Sequence, residues 1–254
     1  MVACWDDNYN KVIAVEEIIF GRAQHPNAWV AEVEAIRMKS VCLPFQYKAV
    51  SLAILNNKST LIPLGLYDPQ VIASYLAFNH KIGPEETIHE DHLNVVQAKN
   101  SYTVPKNIEA YFRGLYQPLQ VMHFSSGLIE QILLSKRNQT GAFVSANIRI
   151  GNAEIVVVEN GKLLFYNSFV IQTPEDFLFY LLYLLEQLKL NPENIAVELM
   201  GNIDEQHPIH QLVYKYIRHV SFAKNIESLG ISHNIARQPN HRYYTLFSQL
   251  LYAK

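Results

Sequence analysis

Residues 142–170 read AFVSANIRIGNAEIVVVENGKLLFYNSFV: three apolar, β-branched runs separated only by Gly151-Asn152 and Asn160-Gly161. Turns that short oblige each run to return beside its predecessor, so the segment is predicted to be an antiparallel meander. The next segments narrow the fold further. PEDFLFYLLYLLEQLKL opens with Pro174 and has Glu175 and Asp176 in its first turn, where acids complement a helix dipole. NPENIAVELMGNI then supplies a turn and another strand. Meander, helix and returning strand make an α/β unit.

The same order of elements recurs in the first half. Residues 2–20 read as a hairpin about the turn signal Asp7-Asn8-Tyr9-Asn10, 27–39 as a helix and 47–55 as a strand. Residues 153–172, 175–189 and 194–200 repeat that order. Self-similarity at so long a period points to duplicated domains, not to a solenoid of short repeats. The predicted division is 1–136 and 137–254, joined through a helix at 125–136 and closed by one at 243–253.

The intervening segments read more simply. YKAVSLAILNNKSTLIPLGLY gives two strands about an Asn-Asn-Lys turn, and Asp68-Pro69 gives the N-cap and first position of a helix. KIGPEETIHEDHLN reads as a polar loop, LNVVQAKNSYTVP as a strand pair or one long bent strand, KNIEAYFRGLY as a helix and PLQVMHF as a strand. SSGLIEQILLSKR is predicted to be a helix capped by its serines, with Glu130 close behind. HPIHQLVYKYIRHV reads as a helix, NIESLGI as a short strand or turn, and HRYYTLFSQLLYAK as the closing helix.

Composition excludes several function classes. Apolar residues make up 49% and charged residues 17% of 254, an ordinary globular balance with enough chain for substantial cores. The net charge of −2, with no useful Lys/Arg run, supplies no field that would draw nucleic acid. Cys4 and Cys42 are the only cysteines, and neither sits in a C-x-x-C pair, so neither a disulfide framework nor a cysteine zinc site is indicated. The start, MVACWDDNYNK, has acids where a signal peptide needs basic residues. FLFYLLYLL (177–185) falls well short of the ~20 residues that span a bilayer. A cytoplasmic protein without membrane insertion is expected.

The second half, AFVSANIRIGNAEIVVVENGKLLFYNSFVIQTPEDFLFYLLYLLEQ followed by IAVELMGN, resembles the actin-like ATPases. That superfamily includes actin, the Hsp70 ATPase domain, sugar kinases and bacterial cell-division and pilus-assembly proteins. Over nearly its whole length the chain is similar to one bacterial family of unknown function assigned this fold. STLIPLGLYD, YTVPKNIEAYF, PLQVMHFSSGLIEQIL and PNHRYYTLFSQLLY carry that likeness. The resemblance implies an α/β, duplicated actin-like ATPase fold, with two ribonuclease H-like subdomains around a cleft. It also implies where nucleotide would lie: beside a first strand ending in an acid, a glycine turn that wraps phosphate, and a later strand ending in glycines near adenosine.

Hydrolysis at such a site depends on carboxylates that hold Mg²⁺ and orient water. This chain has Asn147 at the acid position with Arg149 nearby, and no Asp or Glu between Gln139 and Ala153. Gly151 and Asn152 keep the turn, and Gly201 in LMGN stands where a glycine pair is usual. In the first half the chain starts at what would be the second strand, so the first strand and its phosphate turn are expected to be missing. Asp6 and Asp7 fall in the wrong turn. The expectation is therefore a non-catalytic binding or scaffold protein with a degenerate phosphate site and no resident cofactor, whose partner is another protein or a second copy. The alternative is a nucleotide-binding protein or weak ATPase that takes ATP or ADP with Mg²⁺ at Arg149, Gly151, Asn152 and Gly201.

Other reactive residues have plainer readings. His89 and His92 in HEDH would need to share a helix face and find a third ligand to hold a metal, and a solvated loop is expected instead. His207, His210 and His219 are read the same way, at a polar helix start. Ser125 and Ser126 follow a strand, but Phe124 stands where a nucleophile elbow needs glycine, so helix capping accounts for them. His123 is expected to pack or hydrogen-bond. Arg237, His241 and Arg242 form a small basic-aromatic cluster that could take an anion, with anchoring of the last helix preferred.

Overall fold

A computed structural model of the chain describes residues 1–18, 26–224, 226 and 228–253. Ile19 and Phe20, which the sequence reading places in the first hairpin, lie outside the described residues, as do 21–25, Asn225 and Glu227 of NIESLGI and the final Lys254.

Local chemistry accounts for most elements. β1 (Val2–Asp6) and β2 (Lys11–Glu16) form the predicted hairpin, with Asp6 Oδ1 accepting from the backbone N–H groups of Asn8 and Tyr9 at 2.9 and 3.2 Å. α1 (Pro26–Arg37), β3 (Val50–Ile54) and β4 (Ser59–Pro63) follow. Asp68 caps a short 3₁₀ turn, Pro69–Val71, accepting from Gln70 N, and α2 (Ile72–Asn79) continues from it. β5 (Glu86–Leu93) and β6 (Ala98–Pro105) precede α3 (Lys106–Leu115), β7 (Leu119–His123) and α4 (Phe124–Lys136). The opening meander is β8 (Ala142–Arg149), β9 (Asn152–Glu159) and β10 (Lys162–Val170). Asn160 and Gly161 both take positive φ, 50° and 75°, the conformation a tight hairpin demands. α5 (Pro174–Gln187) starts from a capping box between Thr173 and Asp176. β11 (Ala196–Gly201), α6 (Pro208–Tyr216), β12 (His219–Phe222), β13 (Gly230–Ile231), α7 (His233–Ala236) and α8 (Tyr244–Tyr252) complete the chain.

Three expectations need correction. KIGPEETIHEDHLN is not a loop: Glu86–Leu93 is an eight-residue strand paired antiparallel with β6. Its polar side chains find partners there, Glu86 with Lys58 and His89 with Glu109, so pairing overrides composition. The helix predicted through IRHV ends at Tyr216, and His219–Phe222 is a strand parallel to β11. The serines do not cap α4, which begins at Phe124 and holds both within its first turn.

The chain divides into two compact units: Met1–Leu128 with Leu229–Ile235 and Gln249–Lys254, and Ile129–Ser228 with Ala236–Ser248. In the first, β13 extends the β1–β2 hairpin in parallel with β2, β3 pairs in parallel with β7, and β4–β6–β5 form an antiparallel sheet. The second is built on one five-stranded sheet, β10–β9–β8–β11–β12. The meander is antiparallel, while β8, β11 and β12 run parallel, as crossovers through α5 and α6 allow.

Alternation along β8 and β9 assigns their two faces. Val144, Ala146 and Ile148 join Ile155, Val157, Val197 and Leu199 in a core with Phe177, Leu181 and Leu185 of α5 and Val213 of α6. Removing a leucine such as Leu181, which is fully buried, costs about 2–5 kcal/mol by lost transfer energy and cavity formation. On the other face Lys136 of α4 pairs with Glu198 at 3.1 Å, its ammonium 3.8 Å from the Phe143 ring. That second face also carries Asn147, Arg149 and Glu154.

Candidate functional site

Asn147 and Arg149 are two apart on β8, so they share a face. Cross-strand register sets Asn147 opposite Glu154 and Arg149 opposite Asn152 on β9, placing all four side chains on the face away from the α5 core. β8 itself carries no carboxylate. The fold supplies one from the neighbouring strand, just past the stretch in which the sequence shows no acid. Glu154 is fully buried, its Oε2 accepting from Asn147 Nδ2 at 2.7 Å and its Oε1 from Ser168 Oγ at 3.1 Å. Arg149 adds Nε at 3.1 Å from both oxygens and closes a second contact through Nη2 to Oε1. Thr245 of α8 donates from Oγ1 to Asn147 Oδ1 at 3.0 Å. The available signal was Glu154 itself, the one charge inside an otherwise apolar strand from Ala153 to Val158.

The glycines differ in what they are for. Gly151 has φ +73° with nothing within 4 Å of where a Cβ would stand, so the turn needs its conformation and not its size. Gly201, at the end of β11 and level with Ile148, has φ +89°, and a Cβ there would lie 2.7 Å from Asn147 Oδ1 and collide with the Ile148 carbonyl. Asn202 N donates to that same carbonyl at 2.8 Å. Arg149, Gly151, Asn152 and Gly201 thus gather where β8 and β11 end, the edge at which open α/β sheets usually hold ligands.

Beyond Gly201 lies a pocket of 120 Å³ lined by residues that include Asp204, His207, His241 and Arg242. Drug-sized ligands occupy roughly 300–1,000 Å³, so this pocket has room for waters or a small ion only. His241 Nε2 donates to Ile203 O at 2.7 Å, and its ring stacks on Phe222 at 4.4 Å, which stacks in turn on His210 at 5.0 Å. His241 is therefore an anchor, in line with the preferred reading of its cluster. His207 Nδ1 accepts from Ile209 N and caps α6.

The first unit holds a separate polar cluster. His123 Nε2 donates to Asn56 O, which leaves Nδ1 to accept from Ser125 Oγ at 2.6 Å. Asn100 Nδ2 donates to both serine hydroxyls, and Ser126 Oγ donates to Asp91 Oδ2 at 2.6 Å. Tyr102 OH and His123 N also donate to Asp91. Burial raises the Asp91 pKa, and these three donors oppose the shift. His123, Ser125 and Ser126 have no exposed surface, and their polar groups are held within this cluster. His89 and His92 are three apart on a strand and point to opposite faces. Among the described residues no group of three His, Cys, Asp or Glu is placed to hold a metal, and no helix is long and apolar enough to cross a membrane.

Residues 1–220 match the family model described as "Protein of unknown function (DUF3822)". The chain belongs to this family. Among solved structures, the family member is similar to a Bacteroides thetaiotaomicron crystal structure described as having an actin-like ATPase fold and unknown function. Identity is 21%, covering 98% of this chain and 90% of that one, with a TM-score of 0.81. It is also similar to a chain of the PilM–PilN type IV pilus biogenesis complex, at 12% identity over 99% and 95% of the two chains, with a TM-score of 0.65. No curated protein sequence matches. The mixed α/β architecture therefore has actin-like ATPase folds as its structural neighbours.

Proposed function

We propose that this chain is a non-catalytic binding or scaffold protein on an actin-like frame, whose partner is another protein or a second copy of itself. The reading takes 1–136 and 137–254 as two ribonuclease H-like subdomains of a duplicated fold around a cleft, in a cytoplasmic protein. One observation carries it. Both oxygens of Glu154, the carboxylate beside the phosphate-type turn, are held by Asn147, Ser168 and Arg149 in full burial. A Mg²⁺ shell needs oxygen ligands open to metal and water. Here the carboxylate faces a guanidinium instead, so the residues do not fit a Mg²⁺–phosphate group. A protein partner is supported by PilM, which shares the architecture and was solved in complex with PilN.

The open space around Gly151 favours one other reading, a nucleotide-binding protein or weak ATPase using Arg149, Gly151, Asn152 and Gly201. A thermal melt with Mg-ATP and Mg-ADP separates the two. Ligand at a hundredfold over its Kd adds about 2.7 kcal/mol, a shift of several degrees. The proposed function expects no shift and no ATP turnover above buffer. A shift that Gly151→Val abolishes establishes the alternative.

A further inference from the structure

The sequence separates Cys4 from Cys42, but the fold does not. Cys4 sits on β1 and Cys42 in the segment after α1, both as buried free thiols within the first unit. A single hydroxyl bridges them: Tyr47 OH lies 3.2 Å from Cys4 Sγ and donates to Cys42 O at 2.6 Å. Glu16 completes the cluster. Its Oε2 accepts from Cys42 N at 3.3 Å and from Ser40 Oγ at 2.5 Å. The chain has only these two cysteines, so the cluster gathers every thiol it owns.

We propose that Cys4 and Cys42 are a dithiol modification site that closes to an intramolecular disulfide when the protein meets a peroxide. Cys4, the more exposed of the two at 9% against 1%, is the attacking sulfur. Its thiolate attacks the terminal peroxide oxygen, the O–O bond breaks, and the remaining fragment leaves as water or an alcohol. The resulting Cys4 sulfenic acid is then attacked by Cys42 sulfur, whose proton passes by way of the Glu16 carboxylate to the departing hydroxyl. The S–S bond forms, the S–O bond breaks and water leaves. Two thiols lose two electrons, and the peroxide takes them up.

The division of roles follows from the surroundings. Burial, then the Cys4 thiol and Glu16, push the Cys42 pKa up to about 12, so Cys42 is a poor first nucleophile. It becomes effective only against an electrophilic sulfur held at the same tyrosine hydroxyl. The bond ties β1 to the chain after α1 and closes residues 5–41 into a loop, which restricts the unfolded chain. The oxidised protein is therefore the more stable form. In a reducing compartment such a bridge is transient, which suits a sensor better than a permanent staple.

The test is an intact-mass measurement and peptide map of the purified full chain, before and after hydrogen peroxide, with iodoacetamide blocking residual thiols. The expected product loses about 2 Da, takes up no iodoacetamide and links the Cys4 peptide to the Cys42 peptide. It melts several degrees higher than the reduced chain and returns to the reduced value with dithiothreitol. In Cys42→Ser the same treatment leaves a Cys4 sulfenic acid trapped by dimedone. Persistent double alkylation, sulfinic acid at either residue without a crosslink, or bridges only between chains overturns the proposal. The wild-type map decides the matter even if Cys42→Ser folds poorly.

Discussion

Glu154→Gln is the substitution that tests the reading of the β8–β9 site most directly. It keeps the shape of the side chain and removes the negative charge facing Arg149. Breaking a buried pair by neutralising one member costs about 3–5 kcal/mol, because the other charge stays desolvated. Glu154 is fully buried, but the Arg149 side chain keeps 20% exposure, so its guanidinium recovers some hydration and the cost falls at the lower end, about 3 kcal/mol. At roughly 2–4 °C per kcal/mol for a chain of this size, the melting temperature of the transition that reports the second unit drops by about 6–12 °C. Replacing both partners, Arg149→Met with Glu154→Gln, leaves no desolvated charge and returns part of the loss. The assay is a double-mutant cycle by urea denaturation, monitored through a probe in the second unit. A Glu154→Gln loss under about 0.5 kcal/mol, or additive losses in the double mutant, refutes the idea that this carboxylate serves the fold by neutralising Arg149.

The two glycines of the site should differ in tolerance. Gly201→Ala meets both a positive φ and a backbone carbonyl, and should cost more than about 2 kcal/mol, whereas Gly151→Ala meets only the φ and should cost about 1 kcal/mol; paired melts rank them. Asp176 accepts from Gln172 N and Thr173 N in the α5 capping box, which holds its pKa below the usual carboxylate value. Its contribution is present above the unfolded pKa of about 3.9 and lost as pH falls through the lower folded value. Asp176→Asn should therefore flatten the wild-type fall in melting temperature below about pH 4, and an unchanged acid limb counts against the box. Ser126→Ala removes one donor to Asp91 and should raise that carboxyl's pKa further, read by carboxyl-carbon NMR titration.

The second unit was the more legible half because its instructions are local. The β8–β10 meander announces itself through Asn160-Gly161 and Gly151-Asn152, and α5 through Thr173, Pro174 and Asp176, each acting on residues a few positions away. Asp68 is legible as a cap for the same reason. β5 was not legible. Residues Glu86–Leu93 carry charges and histidines in strand-like alternation too weak to notice, and they become a strand because β6 offers a paired edge. β12 was hidden likewise: four residues, His219–Phe222, whose only reason to extend is β11 beside them.

The candidate site shows the same division. Sequence alone placed Arg149, Gly151 and Asn152 at one turn and Gly201 at the end of a later strand, and correctly found no acid on β8. Only register could bring Glu154 opposite Asn147, or set Gly201 against Ile148 so closely that no side chain fits. The cysteines make the point again, distant in sequence and brought to one tyrosine hydroxyl within the first unit. Turns and caps are written in neighbouring residues, because their energetics involve backbone groups a few bonds away. Which charge meets which, and which strand has an edge to join, depends on pairings between distant segments, and those exist only once the chain has folded.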